Sequence, residues 1–444
     1  MSDLGLDQSS DIRPASDWWK GFGDEQLDRL VEDAFAGNPS LAIALARMRA
    51  AAAGLAVERA ATWPQIGLEA SEQRAVLSGH YTYPPPYAGS TQWLGTVEGT
   101  LSWNIDLWGR ESAVVAAAGH TAKAAQLDAE AARLALAGAV TQTYIALAAA
   151  YQACDVTGED LTLRSRGLQL AESRVRSGLD SRSRQHEAEE AAAAAKVANS
   201  ACQADRDRIV HALAALTGRG ADAYKTIARP DIDLANAVTV PENLPADLIA
   251  QRPDVLAAAA RVEAALQGRR VAFKSFFPNV NLFAFAGWSA LGLTNMFTSD
   301  AITYGTGPAV HLPLFDAGRL RANYAGATAD LDAATAAYNA TVVAAIREAA
   351  DAGTQVKALT GQLADQNEAV TAAEQKKSLA TSRVRNGLSP ETDELTARGS
   401  LSAEKQKQIA LQSASASQRV ALIVAIGGGF TPEDKFQSER GHVP

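Results

Sequence analysis

Three methionines, two cysteines and an aromatic share of 6% are few for 444 residues, and each shortage excludes something. Methionine occurs only at Met1, Met48 and Met296, so no methionine-rich soft-metal path appears. His80, His120, His186, His211, His311 and His442 show no metal-ligand spacing, and no G-x-S-x-G, H-E-x-x-H or phosphate-loop pattern occurs. Neither a metal, a cofactor nor a catalytic centre is expected. A net charge of -9 argues against a nucleic-acid partner, which normally meets a basic patch or stripe. No uninterrupted run of 18 apolar residues exists, so no transmembrane helix is expected. Met1 to Gln8 lacks the basic start and apolar core of a signal peptide. That leaves a cytosolic protein or a sequence that starts after processing, and the strands described below favour the second.

What the chain has is alanine and a large internal repeat. SRVRSGL at Ser173 to Leu179 returns as SRVRNGL at Ser382 to Leu388. Arg47, Val57 and Pro64 recur as Arg261, Val271 and Pro278 at an offset of 214, and Arg110 and Gly218 recur as Arg319 and Gly427 at 209. The difference falls in the loop YTYPPPYAGST, which is longer in the first copy. Units of roughly 180 residues far exceed solenoid repeats of 20 to 50, so the chain is a tandem duplication with two interlocked halves.

Residues 1 to 23 read as an extended polar leader with Trp18 and Trp19. Asp24 caps a short helix to Phe35, and Gly37, Asn38 and Pro39 break it before a second helix from Ser40 to Ala61. From Gln92 to Leu107 the period changes to two: Trp93, Val97, Leu101, Trp103, Ile105 and Leu107 share one face, and polar residues share the other. Ile66 to Val76 is a weaker partner strand, and the second copy gives Asn279 to Ser289 and Thr303 to Phe315. Phe277, Phe283, Phe285, Tyr304 and Phe315 join the tryptophans in these windows. Aromatic girdles at a membrane interface and the core of a small soluble sandwich both fit that clustering.

Gly109 to Gly218 and Ala317 to Gly427 hold no proline except Pro390 and read as long helical hairpins. Val140, Tyr144, Leu147, Tyr151, Cys154, Gly158 and Leu161 follow the 3,4 spacing of a coiled-coil seam. Arms of about 65 residues at ~1.5 Å each would reach roughly 100 Å, with SRVRSGL near the middle and Gly178 supplying the positive φ of the turn. Cys154 and Cys202 lie equally far from Gly178, so antiparallel arms put them at one height. A disulfide and two separate small apolar side chains both fit. Helix axes about 8 to 10 Å apart favour the second.

Four strands cannot close a barrel, and an open edge cannot sit in lipid, so membrane strands here require 8, 12 or 16 strands from several chains. At this point a resemblance is specific. GDEQLDRLVEDAFAGNPSL from Gly23, LPADLIAQRPDVLAAAARV from Leu244, FFPNVNL from Phe276, LPLFDAGRLRA from Leu312 and GGGF from Gly427 resemble TolC-type outer-membrane efflux ducts. The closest likeness is to the OprM/NodT branch that serves resistance-nodulation-division pumps.

The resemblance implies an α plus membrane β fold: a homotrimer with a 12-stranded β-barrel, four strands per chain, in outer-membrane lipid, and a periplasmic α-helical barrel. Its domains would be an N-terminal segment and short equatorial helix at 1–37, a first repeat at 38–218 with β-hairpin 63–107 and helical hairpin 109–218, and an equatorial linker at 219–251. A second repeat at 252–430 with β-hairpin 277–315 and helical hairpin 317–427 and a tail at 431–444 would follow. The implied partners are a periplasmic adaptor (membrane fusion) protein and an inner-membrane resistance-nodulation-division pump, with the chain as a passive exit duct. That branch usually starts with a lipidated cysteine, and no cysteine precedes Cys154, so the sequence does not support lipidation.

By the same resemblance, Gly178, Leu179, Asp180 and Ser181, with Gly387, Leu388, Ser389 and Pro390, are the adaptor-docking tips. A helix C-cap with its own hydrophobic contact would explain Gly and Leu without a partner. Arg184 and Asp393, equivalent at the 209 offset, are candidates for a periplasmic gate in which three of each alternate. Relatives commonly hold aspartate at the second position, and their second acid is Thr396 here. A type I secretion exit and a soluble coiled-coil scaffold are the competing readings, and the long Gln92 to Leu107 strand argues against the scaffold.

Overall fold

The computed structural model describes residues 14–80, 83–235 and 249–431. Most of the leader, residues 236–248 of the linker and the tail from 432 onward lie outside the described residues. The chain forms two compact units. One comprises Met1–Leu45, Leu127–Leu256 and Ala340–Pro444, and the other Ala46–Gln126 and Ala257–Asn339. Each unit takes pieces from both repeats.

The second unit carries one antiparallel sheet in the order β1 (Gln65–Val76), β2 (Thr91–Ile105), β3 (Asn279–Leu291), β4 (Ile302–His311). The registers Ile66 with Leu101, Leu101 with Ala284, and Ala284 with Thr306 put directly paired residues on one face. Ile66, Leu68, Val97, Leu101, Leu282, Trp288, Ile302 and Val310 therefore form one apolar surface across all four strands. The other face carries Glu69, Ser71, Thr96, Glu98, Thr100 and Asn281. Glycine is required at Gly287, where a Cβ would stand 2.1 Å from the Val97 carbonyl oxygen. β1 and β4 are the sheet's edges, with no further strand beside them among the described residues.

Aromatics bracket the apolar surface only in part. Trp103 donates from Nε1 to the Thr62 carbonyl at 3.0 Å, and Trp108 donates to that of Pro278 at 2.9 Å and stacks on Phe277. At the opposite end Arg74 lies over Trp93, and Trp288 meets Phe297 edge-on. From Trp93 to Trp103 is about 33 Å at ~3.3 Å per residue, or ~25 Å tall when tilted near 40°, which matches the apolar band of a membrane barrel. Phe283 and Phe285 depart from a girdle: their register opposite Gly307 and Gly305 puts them on the polar face. β4 stops at His311 rather than Phe315.

Seven α-helices are described: α1 (Glu25–Gly37), α2 (Pro39–Ala61), α3 (Arg110–Arg176), α4 (Arg182–Leu216), α5 (Pro253–Lys274), α6 (Arg319–Arg385) and α7 (Glu391–Ala425). The hairpin arms are unequal, 67 residues in α3 and α6 against 35 in α4 and α7, so the repeated turn is not central. The shortfall is met by end-to-end junctions within the first unit. Asn38 accepts from the Ser40 and Leu41 N–H groups at 2.9 and 3.2 Å to cap α2, while its Nδ2 donates to the Leu216 carbonyl at the end of α4. At offsets of 214 and 209 the same junction recurs, with Arg252 donating to the Ala425 carbonyl of α7 at 2.8 Å. Pro39 and Pro253 open α2 and α5, where a missing N–H costs nothing. Gly218, at φ 70°, lies so close that a Cβ would stand 1.9 Å from the Gly37 oxygen.

The first unit's core gathers Leu27, Val31, Val140, Tyr144, Leu147, Leu213, Val420 and Ile423. Each large apolar side chain fully buried there contributes roughly 1.5–3 kcal/mol relative to exposure. Trp18 and Trp19 are 4% and 7% exposed in a short 3-10 helix, Trp18–Phe22, so this part of the leader is anchored rather than extended. Windows in Pro39–Ala61 and Arg110–Arg176 reach mean hydropathies of 1.5 and 1.4 and are long and apolar enough to cross a membrane by composition. Alanine, interrupted by Arg47 and Arg49, supplies much of that hydropathy in α2.

Asn38→Ala is expected to lower stability by about 1–2 kcal/mol, because it removes a cap and leaves the Leu216 carbonyl unpaired. Thermal unfolding followed by circular dichroism measures the loss.

Candidate functional site

The two tips share one backbone. Leu179 N–H donates to the Arg174 carbonyl and Leu388 N–H to that of Arg383, both at 2.8 Å, and Gly178 and Gly387 both sit at φ 70°. This is the left-handed helix stop in which glycine is followed by an apolar residue that normally folds back on the helix. Here neither does: Leu179 and Leu388 are each 70% exposed. Two leucines at the ends of the hairpins thus remain in water.

Beyond the turns the copies diverge. Asp180 accepts from the Ser181 N–H at 3.0 Å and pairs with Arg174 at 3.2 Å; these contacts, led by the Ser181 bond, hold its carboxyl below the usual range. Ser181 caps α4 by accepting from the Arg184 N–H. In the second copy Ser389 and Pro390 occupy these places, and Pro390 gives no side-chain cap. The first turn of α4 carries no acid, whereas that of α7 carries Glu391, Asp393 and Glu394, which suit the positive helix N-terminus.

Arg184 and Asp393 are both exposed and do not pair within the chain. Arg184 instead meets Glu187 at 2.9 Å on its own helix. Sequence reasoning missed the contact joining the two hairpins here: Arg166 of α3 reaches Glu391 of α7 at 2.7 Å. A Cβ on Gly399 would also stand 2.6 Å from Arg164 Nη2, so α3 and α7 pack closely just above the tips. No local pattern marks a pair 225 positions apart.

Farther up the first hairpin, Cys154 and Cys202 come together within bridging distance, with Cα atoms 5.6 Å apart. Ordinary helix spacing favours two separate thiols; here the small residues Ala150, Ala153, Ala198 and Ala201 flank the pair, and the Cα atoms lie within the range a disulfide spans.

Two polar clusters were also unforeseen. Tyr144 is buried and donates to Asp24 Oδ2, which also accepts from the Asp231 N–H at 2.9 Å. Gln26 donates from Nε2 to the Tyr144 oxygen and exchanges bonds with the backbone of Ala228, tying the start of α1 to the linker. Burial pushes Asp24 up, but these bonds outweigh it and hold the carboxyl below its ordinary value. Burial, then the bond to Asp24, drives the Tyr144 hydroxyl well above its ordinary range, so it remains a donor. Arg252, only 9% exposed, pairs twice with Asp254 and once with Glu348 besides its bond to Ala425. Asn-Pro and Arg-Pro at the 214 offset were the available signal for the junctions; for Tyr144 the seam spacing was legible, but its hydroxyl's partner was not.

Residues 30–219 and 244–428 match the family described as outer membrane efflux protein. The chain is 35% identical over 321 residues to the fusaric acid resistance protein FusA of Burkholderia cepacia, a match covering 71% of this chain and 60% of that one. It is 29% identical to the multidrug resistance outer membrane protein MdtP of Shigella flexneri, covering 94% of this chain and 87% of the relative. Among solved structures it is similar to the outer membrane protein VceC of Vibrio cholerae, with 33% identity, a TM-score of 0.85, and 94% and 100% of the two chains covered.

Asp24 is lower in the folded state, so its stabilising effect is complete above the unfolded carboxylate value of about 4 and is lost as pH falls through the folded value. Tyr144→Phe removes one donor. It is expected to lower stability at pH 7 and to flatten the loss seen below about pH 4, as measured by thermal unfolding between pH 3 and 7.

Proposed function

The chain belongs to the outer membrane efflux protein family, and from that premise we propose that it is the homotrimeric exit duct of a tripartite pump. It is an outer-membrane efflux channel with a periplasmic helical tunnel, of a family whose members are not enzymes. Residues 38–218 and 252–430 are its two repeats, and the matched segments 30–219 and 244–428 support that division. Three chains would close twelve strands, with β1 of one copy pairing β4 of the next. The free edges and the apolar face of the sheet support this reading. Six hairpins would then line the tunnel, and a periplasmic adaptor would dock at their tips while an inner-membrane pump of the resistance-nodulation-division class supplies the energy.

The single observation that carries the docking reading is the 70% exposure of both Leu179 and Leu388. A turn that needed only a helix stop would fold its leucine back, so a pair left in water is a surface kept for a partner. Leu179→Asp with Leu388→Asp is expected to weaken co-purification of the adaptor by about tenfold or more, with the trimer itself intact in detergent. Unchanged adaptor recovery would contradict it.

At the closed tip, three Arg184 and three Asp393 would alternate across the narrowing pore. Arg184 must then leave Glu187, and since both groups are exposed each pair supplies only about 0–1 kcal/mol. The exposure of both side chains, free of a fixed partner across the hairpins, supports the reading. Arg184→Asp is expected to raise single-channel conductance and antibiotic permeability. Unchanged values of both would rule the gate out.

A further inference from the structure

We propose that Cys154 and Cys202 form a disulfide made in the periplasm, and that it locks the register of the first hairpin alone. The offset of 209 maps the two cysteines onto Leu363 and Leu411, so the second hairpin holds an apolar pair at the same height and no covalent tie. Around that height α6 and α7 are joined by exchangeable polar contacts. Gln366 donates to the Glu404 carbonyl and carboxylate at 3.0 and 2.8 Å, and Gln408 donates to Asn367 at 2.7 Å. The equivalent residues of the first hairpin are Thr157, Ala195, Asn199 and Gly158, which are too short to repeat that network. The disulfide stands in its place.

The lock follows from reach. With Cα atoms 5.6 Å apart, sliding α4 by one helical turn of about 5.4 Å would separate them to about 7.8 Å, beyond the ~7 Å that a disulfide spans. A one-turn slip of the second hairpin breaks no covalent bond, only hydrogen bonds, an ion pair and apolar contacts that can re-form in the new register. The covalent ring from Cys154 to Cys202 encloses the whole first tip, including the Arg174 to Asp180 pair, and so fixes the phase in which Leu179 is presented.

The bond rests on the periplasmic placement of these helices, since disulfides persist in oxidising compartments. Its formation needs an oxidant, taken here to be a periplasmic thiol–disulfide exchange protein. One cysteine thiolate attacks the oxidant's disulfide and forms a mixed disulfide, the second thiolate attacks the first cysteine's sulfur and expels the oxidant's thiolate, and two electrons and two protons leave with the oxidant as its dithiol.

The test uses the full chain in washed outer membranes, so that placement is established independently of the bond. After acid trapping and denaturation, alkylation mass spectrometry is expected to label neither cysteine before reduction and both after it. Labelling of both before reduction would overturn the disulfide. In Cys154→Ser with Cys202→Ser, amide exchange in residues 155–201 is expected to quicken about tenfold or more, with residues 364–410 unchanged. Cys154→Leu with Cys202→Leu, which copies the second hairpin, should recover part of the protection. Equal protection in the native and serine proteins would overturn the lock even with the bond present.

Discussion

A four-stranded sheet with one apolar face and two free edges is the constraint on which the rest of this molecule depends. In water such a face would associate without specificity, and in lipid the unpaired N–H and C=O groups of β1 and β4 would each cost several kcal/mol. Both difficulties vanish only when edges meet edges in a closed ring. The chain's duplication serves that end, because two similar hairpins per copy let a few chains close a barrel with nearly equivalent strands.

The helices inherit the same near-symmetry and solve a problem of length with it. Arms of 67 and 35 residues cannot pair along their whole extent. The structure ends α4 against the first residues of α2 and α7 against the first residues of α5. Each junction must satisfy the N–H groups that open one helix, accepted by Asn38 in α2 and by Asp254 in α5, and the carbonyls that end the other, which one side chain serves in each copy. In the first copy it is neutral Asn38. In the second it is buried Arg252, which carries two carboxylates with it. An identical backbone device thus has different electrostatics in the two copies, and the tips repeat this contrast, basic at Arg184 and acidic around Glu391.

Much of this was legible in the sequence. Period-two alternation located β2 and β3 to within a few residues, and the matching SRVRSGL and SRVRNGL segments marked both turns. Registers, edges and end-to-end junctions were not legible, since they depend on residues about 180 positions apart, such as Asn38 with Leu216. The unequal arms were missed because alanine-rich helix carries no mark of where its partner ends. Phe283 and Phe285 show a further limit: an aromatic in a strand has a face only once its register is known. The cysteine pair was placed at one height by counting, but its distance depended on how closely alanine lets two helices approach.

The proposal that three chains close their free edges into one barrel is tested most directly by the mass of the assembly. Native mass spectrometry of detergent-extracted protein should give three copies of the 46.5 kDa chain, about 140 kDa. A dominant monomer, or a dimer or tetramer closing 8 or 16 strands, would contradict it.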